Sequence, residues 1–137
     1  NPSVLKQNNS TTISGKQFYV SNEVIDQVKS FEQIKPYISI QKPLIPIAVL
    51  NGILYINELP SFYTLHYNNI FLTFGYIQLL LDEDLPKNAQ ILINKQEFYK
   101  YTMPRIQQLL AKANASGLNA QLVKETDQYE LYQLSEK

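Results

Sequence analysis

The 137-residue chain contains no cysteine, no tryptophan and a single histidine, His66. Without cysteine it can form no disulfide bond, thiol nucleophile or thiolate metal site. One histidine without cysteine also argues against a zinc site. The four glycines lie far apart in the sequence, at positions 15, 52, 75 and 117, so no glycine-rich loop can surround a phosphate. We therefore expect neither a metal nor a cofactor.

Charge of either sign is not in excess, since 12 basic residues balance 12 acidic ones. A nucleic-acid-binding protein usually has a basic excess or a basic stripe, and the single arginine, Arg105, argues against phosphate recognition. No apolar run approaches the roughly 20 residues of a membrane-spanning helix. The composition, with 45% apolar and 18% charged residues, is that of an ordinary folded domain.

The first 16 residues are polar and predict a flexible tether, followed by a single domain over residues 17–137. Because the chain starts at Asn1 and not at methionine, we expect that a signal peptide, a membrane anchor or a neighbouring domain has been removed. Together with the missing cysteine, this favours an exported or cell-envelope protein, for example a component of a secretion assembly.

The clearest helical pattern lies between Thr102 and Gly117. Its apolar residues recur at the spacing of one helix face, namely Ile106, Leu109, Leu110 and Ala113, extended by Met103. Thr102 is a suitable N-cap, and Pro104 lies where a missing N–H costs least. Gly117 suits the left-handed position that ends a helix.

Strand-like segments lie on both sides of this helix. A short apolar run, Ile91–Ile93, precedes it, and Leu118–Leu122 follows with apolar and polar residues in alternation, as in a strand with one solvated face. A further strand is predicted at Gln128–Leu134. The segment is therefore a β-α-β-β unit, in which strands joined by a crossover helix would be parallel.

The first part of the domain predicts a short strand at Gln17–Val20 and an amphipathic helix capped by Ser21. The buried stripe of this helix consists of Val24, Val28 and Phe31, and Ile25 and Ile34 add apolar area beside it. Pro36 ends it, because proline disfavours helical geometry in the residue before it.

Two hairpins are predicted in the middle of the chain. Asn51-Gly52, a favoured two-residue turn, would join Pro46–Leu50 to Ile53–Ile56. Asn68-Asn69 would join Phe62–Tyr67 to Ile70–Phe74. The run Tyr76–Leu81 fits either a further strand, which we favour, or a helix of two turns.

These elements predict an α+β fold. Two helices would pack on a mostly antiparallel sheet of five to seven strands, with the β-α-β-β unit at the C-terminal end.

Catalytic chemistry has little support in the sequence. His66 lies in an alternating segment, and its neighbours in sequence indicate neither a nucleophile nor a partner acid. A small hydrolase that uses His66 with a carboxylate is therefore only an alternative. Asp82-Glu83-Asp84 lacks the spacing of a calcium loop and predicts a solvated acidic loop.

Tyrosine is the compositional oddity, with ten residues. Tyrosine offers apolar area and a hydroxyl at little entropic cost, which suits recognition surfaces, although it also favours half-buried sheet positions. We expect a non-catalytic protein–protein interaction domain, with Tyr63, Tyr67, Tyr99 and Tyr101 as candidate partner-binding residues. Exposed strand edges could accept a strand from the partner.

Carbohydrate binding is the second alternative, with the surface tyrosines as stacking platforms for a cell-wall glycan. The layout from Ile91 to Leu134 resembles that of small peptidoglycan-binding domains of the SPOR type, although the two share no motif. An open row of tyrosines would favour a glycan, and an apolar patch at a sheet edge would favour a protein partner.

Overall fold

The computed structural model of the protein describes residues 9–13, 16–20, 22–49, 51–59, 70–95 and 99–137. Its strands are β1 (Asn9–Ile13), β2 (Lys16–Val20), β3 (Leu44–Ile47), β4 (Gln90–Asn94), β5 (Leu118–Glu125) and β6 (Tyr129–Glu136). Its helices are α1 (Asn22–Ile34), α2 (Asn51–Ile56), α3 (Ile70–Asp82) and α4 (Tyr99–Ala115), and a 3-10 turn (Lys35–Tyr37) follows α1. None of the helices described is long and apolar enough to cross a membrane.

Four strands form a mixed sheet in the order β3-β4-β6-β5. β3 and β4 are parallel, with Ile45 opposite Ile91, whereas β6 is antiparallel to both of its neighbours. β5 therefore runs in the same direction as β4 but is separated from it by β6. The strands β1 and β2 form a separate antiparallel pair.

The four-stranded sheet has an apolar core on each face. Ile91 and Ile93 of β4 belong to a cluster that α3 and α4 complete with Tyr76, Ile77, Leu80, Ile106, Leu109 and Ala113. Leu92 points to the other face, because side chains alternate along a strand. There it belongs to a cluster with Phe31 and Ile34 of α1 and with Ile53 and Leu54 of α2. The sheet is thus the middle of three layers.

The helices expected from periodicity are confirmed as α1 and α4. In α1, Val28, Phe31 and Ile34 are buried, and the helix ends two residues before Pro36. In α4, the buried positions are Thr102, Ile106, Leu109 and Ala113. Gly117 follows α4 with a φ of 85°, the left-handed conformation that glycine adopts without strain.

The C-terminal unit has the expected order of strand, helix, strand and strand, but its details differ from the prediction. α4 begins at Tyr99, one turn before Thr102. The Thr102 hydroxyl donates to the Tyr99 carbonyl at 3.1 Å, so Thr102 is not the N-cap. Met103 is exposed and does not extend the buried stripe.

The hairpin predicted around Asn51-Gly52 is wrong, because these residues begin α2. Ile53, Leu54 and Asn57 are buried while Tyr55 is exposed, which is a helical pattern. β3 pairs in parallel with β4 instead of folding back on residues 53–56. The long-range pairing overrides the local turn preference. α2 ends at Ile56. Glu58 follows with a φ of 56°, its N–H donates to the Tyr55 carbonyl, and the Leu59 N–H donates to the Leu54 carbonyl, which closes the end of the helix.

The strand predicted at Ile70–Phe74 and the strand favoured for Tyr76–Leu81 are also wrong, because both segments lie in α3. The helical alternative for Tyr76–Leu81 is confirmed. The buried residues Thr73, Tyr76, Ile77 and Leu80 have helical spacing. Phe74, Leu79 and Leu81 fill positions between them with further apolar side chains. These extra apolar residues hide the periodicity in the sequence.

The α+β class is confirmed, but the predicted sheet of five to seven strands with two helices is not. The described part of the chain has four α-helices, and its larger sheet has four strands in mixed orientation. The first arm of the second hairpin, Phe62–Tyr67, lies outside the described residues. The strand β1 lies in the predicted tether and pairs with β2, which lies at the start of the predicted domain. The mobility of residues 1–16 stays a prediction.

Candidate interaction surface

A buried carboxylate connects the start of α4 to the sheet. Glu130 lies on β6 opposite Ile93 and is 8% exposed. The Tyr99 hydroxyl donates to its Oε1 atom at 2.5 Å, and the Tyr132 hydroxyl donates to its Oε2 atom at 3.1 Å. A buried charge costs free energy unless it is hydrogen-bonded, and here each oxygen has a donor. The Tyr99 hydrogen bond therefore holds the first turn of α4 against β6, whereas the Tyr132 hydrogen bond lies within β6.

This environment raises the pKa of both tyrosines. Burial is the largest cause for each, and Glu130 adds to it by its charge and by accepting the hydroxyl hydrogen bond. The pKa of Tyr132 is raised to about 12, and the pKa of Tyr99 is raised as well. Both phenols stay protonated near neutral pH and act as donors to Glu130.

A second carboxylate, Glu125, lies directly opposite Glu130 in the β5–β6 pairing. Like charges that face each other across a sheet repel. The ammonium group of Lys95 lies 3.8 Å from Glu125 and offsets part of this repulsion. Among the described residues, no three His, Asp or Glu side chains are grouped so that they could hold a metal ion. Through the hydrogen bonds that Glu130 accepts from Tyr99 and Tyr132, the cluster joins the start of α4 to β6.

The predicted tyrosine surface is divided between two environments. Tyr99 is half-buried against Glu130, whereas Tyr101 is 58% exposed. The Lys100 ammonium lies 5.0 Å from the centre of the Tyr101 ring. Tyr63 and Tyr67 lie outside the described residues, as does His66. Tyr101 is thus the candidate that presents its side chain to solvent in the described part of the chain.

β5 forms one edge of the four-stranded sheet. Within the described residues, no strand pairs with its outer side. Its pairing with β6 is regular from Leu118 to Leu122, and a bulge at Val123 then interrupts the register. Leu122 and Val123 are 44% and 46% exposed. Unpaired backbone groups beside exposed apolar side chains are the features that allow another strand to add.

The opposite edge of the sheet, formed by β3, is less suited to strand addition. β3 has four residues, each of them buried. One of the four is Pro46, which has no N–H to donate. The sheet therefore offers β5 as its accessible edge.

Two open depressions lie at the end of the sheet far from Tyr99. One, of about 200 Å³, is lined by Asp84, Leu85, Lys87, Ala113, Ser116 and Leu118. The other, of about 340 Å³, lies beside Lys42 and the end of β6. Lys87, which borders both, pairs with Glu136 at 3.1 Å. Lys87 thus has a partner within the chain, and we place the candidate surface at the outer edge of β5, with which no described strand pairs.

Comparison of the chain with models of protein families, with curated proteins and with solved structures finds no significant match. The function of the surface is therefore inferred from its geometry alone.

The sequence predicts Leu118–Leu122 as a strand with one solvated face but does not predict its position at the edge of the sheet. Strand order depends on pairings between segments that are distant in the sequence, so the sequence of one strand does not show whether it lies at an edge. The one local feature that distinguishes this strand is the absence of charged residues from residue 118 to residue 123.

Proposed function

We propose that this domain is a non-catalytic protein–protein interaction or assembly module whose partner binds along β5. The observation that carries the proposal is the outer edge of Leu118–Leu122, which pairs with no strand in the described part of the chain. In strand addition, main-chain hydrogen bonds supply the affinity, and the side chains on alternate positions supply the selectivity. Leu118 and Ala120 belong with the α4 face of the sheet, whereas Asn119 and Gln121 are exposed.

The charge distribution supports a protein partner over a polyanion. The formal net charge is zero, so no long-range field repels or attracts a partner. Tyr101, exposed beside Lys100, is a second candidate contact. An exported or cell-envelope setting stays part of the proposal on compositional grounds alone.

The glycan alternative has less support. The tyrosines whose side chains the structure shows to be exposed belong to different elements, with Tyr37 in the 3-10 turn, Tyr55 in α2 and Tyr101 in α4. Lysine ammonium groups lie 5.0 Å from the ring centres of Tyr37 and Tyr101. A stacking platform needs an open ring face, and these two rings already have a cation over one face. For the hydrolase alternative, the described residues offer no observation.

Photo-cross-linking in the cells that make the protein tests the proposal. A benzophenone amino acid replaces Gln121 on β5 in one variant and Tyr101 on α4 in a second. A third variant carries it at Gln27, which is exposed on α1 and serves as the matched control. We expect a discrete covalent adduct with a polypeptide from position 121 and none from position 27. Equal capture from both positions, or none from position 121, would contradict β5 as the binding edge.

A further inference from the structure

The accessible part of β5 is chemically symmetric. From Leu118 to Leu122 the residues are leucine, asparagine, alanine, glutamine and leucine. Read in either direction, the order is apolar, amide, small, amide, apolar. All five residues are uncharged, and together they form the regular part of the strand.

If this segment pairs antiparallel with the same segment of a second copy, each residue lies opposite a residue of the same chemical type. About an axis through Ala120, Leu118 would lie opposite Leu122 of the other copy, and Asn119 opposite Gln121. Directly opposed residues in a sheet have their side chains on the same face. The leucines would therefore meet on the α4 face, and the amides would meet on the solvated face, where they can hydrogen-bond.

The ends of the segment limit the pairing to these five residues. On one side lies Gly117, with a φ of 85°, and on the other lies the bulge at Val123. In the two-fold arrangement Gly117 of one copy faces Val123 of the other. The left-handed residue and the bulge therefore lie opposite each other at both ends of the paired segment. A two-fold pairing of this kind uses the β5 edge of both copies and produces a dimer. The outer edges of the joined sheet are then the two short β3 strands, which are less suited to strand addition.

The charges beyond the bulge already have partners within the chain. Lys124 lies over the Tyr37 ring at 5.0 Å, and Glu125 lies 3.8 Å from Lys95. Neither is needed to recognise a partner strand. With zero formal net charge, two copies also approach without overall repulsion.

We infer that the partner at the β5 edge is a second copy of this chain, paired antiparallel about a two-fold axis through Ala120. The two four-stranded sheets then form one continuous sheet across the dimer. This inference rests on the proposed function and names its partner. Because one strand from each copy forms the centre of the interface, the dimer belongs to the small and exchanging class of interfaces.

Charge substitutions at the two exposed amides test both the dimer and its register. In Asn119→Lys plus Gln121→Lys, each lysine faces a lysine of the other copy. In Asn119→Lys plus Gln121→Glu, the same positions are charged, but each lysine faces a glutamate. The second variant is the matched control, and circular dichroism verifies that both are folded.

Sedimentation velocity of the full chain over a micromolar to near-millimolar concentration series is the measurement. We expect wild type and the Lys/Glu variant to reach twice the 15.8 kDa chain mass. The Lys/Lys variant should dimerise at least about tenfold more weakly, because it opposes two pairs of like charges. Mixing it with Asn119→Glu plus Gln121→Glu should restore a dimer.

Two results would overturn the inference: a wild type that stays at the monomer mass throughout, or a Lys/Lys variant that dimerises as tightly as the Lys/Glu variant. The cross-linking experiment separates this failure from failure of the proposed function. A monomeric wild type whose position 121 captures a different polypeptide refutes the dimer and retains the interaction module. A monomer without any adduct at position 121 refutes both.

Discussion

Tyr99 and Tyr101 are two residues apart at the start of α4, yet their hydroxyl groups have different roles. Helical geometry turns them to different sides of the helix. Tyr99 reaches Glu130 on β6, whereas Tyr101 projects into solvent under Lys100. A buried carboxylate needs its donors. At the scale of the residue, the tyrosine that stabilises the fold and the tyrosine available to a partner are therefore different residues.

Replacing Tyr99 by phenylalanine should destabilise the domain. The Oε1 atom of Glu130 would lose its donor while the carboxylate stays buried. Losing a hydrogen bond to a charged group should lower the free energy of unfolding by about 1.5–3 kcal/mol. Tyr101→Phe, at an exposed site, should change it by less than about 0.5 kcal/mol. Urea unfolding of both variants measures the difference, and equal stabilities would show that the Glu130 contact contributes nothing.

Alkaline pH should destabilise the fold through Tyr129 and Tyr132. Burial, together with the neighbouring Glu130 in the case of Tyr132, raises the pKa of each to about 12, against about 10 in the unfolded chain. Between these values the folded state holds its protons more tightly than the unfolded state, so the free energy of unfolding decreases as pH rises. Below about pH 10 these groups make no pH-dependent contribution.

Urea unfolding over this pH window, with tyrosinate absorbance recorded in parallel, checks the expectation. The variant Tyr129→Phe isolates the contribution of one tyrosine. Tyr129 is 1% exposed, and its removal should reduce the pH slope by up to about 1.4 kcal/mol per pH unit. An unchanged slope in Tyr129→Phe would contradict the assignment.

At the scale of the element, a helix or strand could be predicted where its apolar residues are the buried ones and its polar residues are the exposed ones. α1 and α4 carry one apolar face each, and β5 alternates as a strand at a sheet edge should. The pattern does not predict α2, and it predicts part of α3 only as the less favoured alternative at Tyr76–Leu81. The apolar residues of both helices are nearly continuous, so strand and helix give the same pattern. For the candidate site, Tyr101 was identified from composition. The edge of β5 follows from the insertion of β6 beside β4, a long-range pairing that local patterns do not contain.

Gly52 distinguishes the helix α2 from the turn that the sequence suggests. In a two-residue hairpin turn Gly52 would need a positive φ, and alanine there would be strained. Within a helix, Gly52→Ala should instead raise the free energy of unfolding by about 0.5–1 kcal/mol, because glycine loses more backbone entropy on folding.

Gly117→Ala is the matched control for this measurement. Gly117 has a φ of 85°, and a Cβ atom built there has no neighbour within 4 Å. Gly117→Ala should therefore lower the free energy of unfolding by about 1–2 kcal/mol, because alanine is strained at a positive φ. Thermal or urea unfolding should show opposite signs for the two substitutions. Destabilisation by both would favour a turn at Asn51-Gly52.

At the scale of the whole molecule, the two cores meet at β4. Its five residues are all buried, with Ile91 and Ile93 in the core beneath α3 and α4 and Leu92 in the core beneath α1 and α2. Neither core can open without exposing this strand. The β1–β2 pair forms a separate two-stranded sheet, and two paired strands are by themselves only marginally stable.

Hydrogen exchange should therefore divide the chain into two levels of stability. Amides of β4 that pair with β3 or β6 should exchange only through global unfolding, with an opening free energy equal to that from urea unfolding. Amides that link β1 to β2 should exchange at a lower opening free energy, because the pair can open while both cores stay intact. Equal protection of β1–β2 and β4 would mean that the hairpin belongs to the cooperative core. In that case the domain would begin at Asn9, and the predicted tether would shrink to the residues before it.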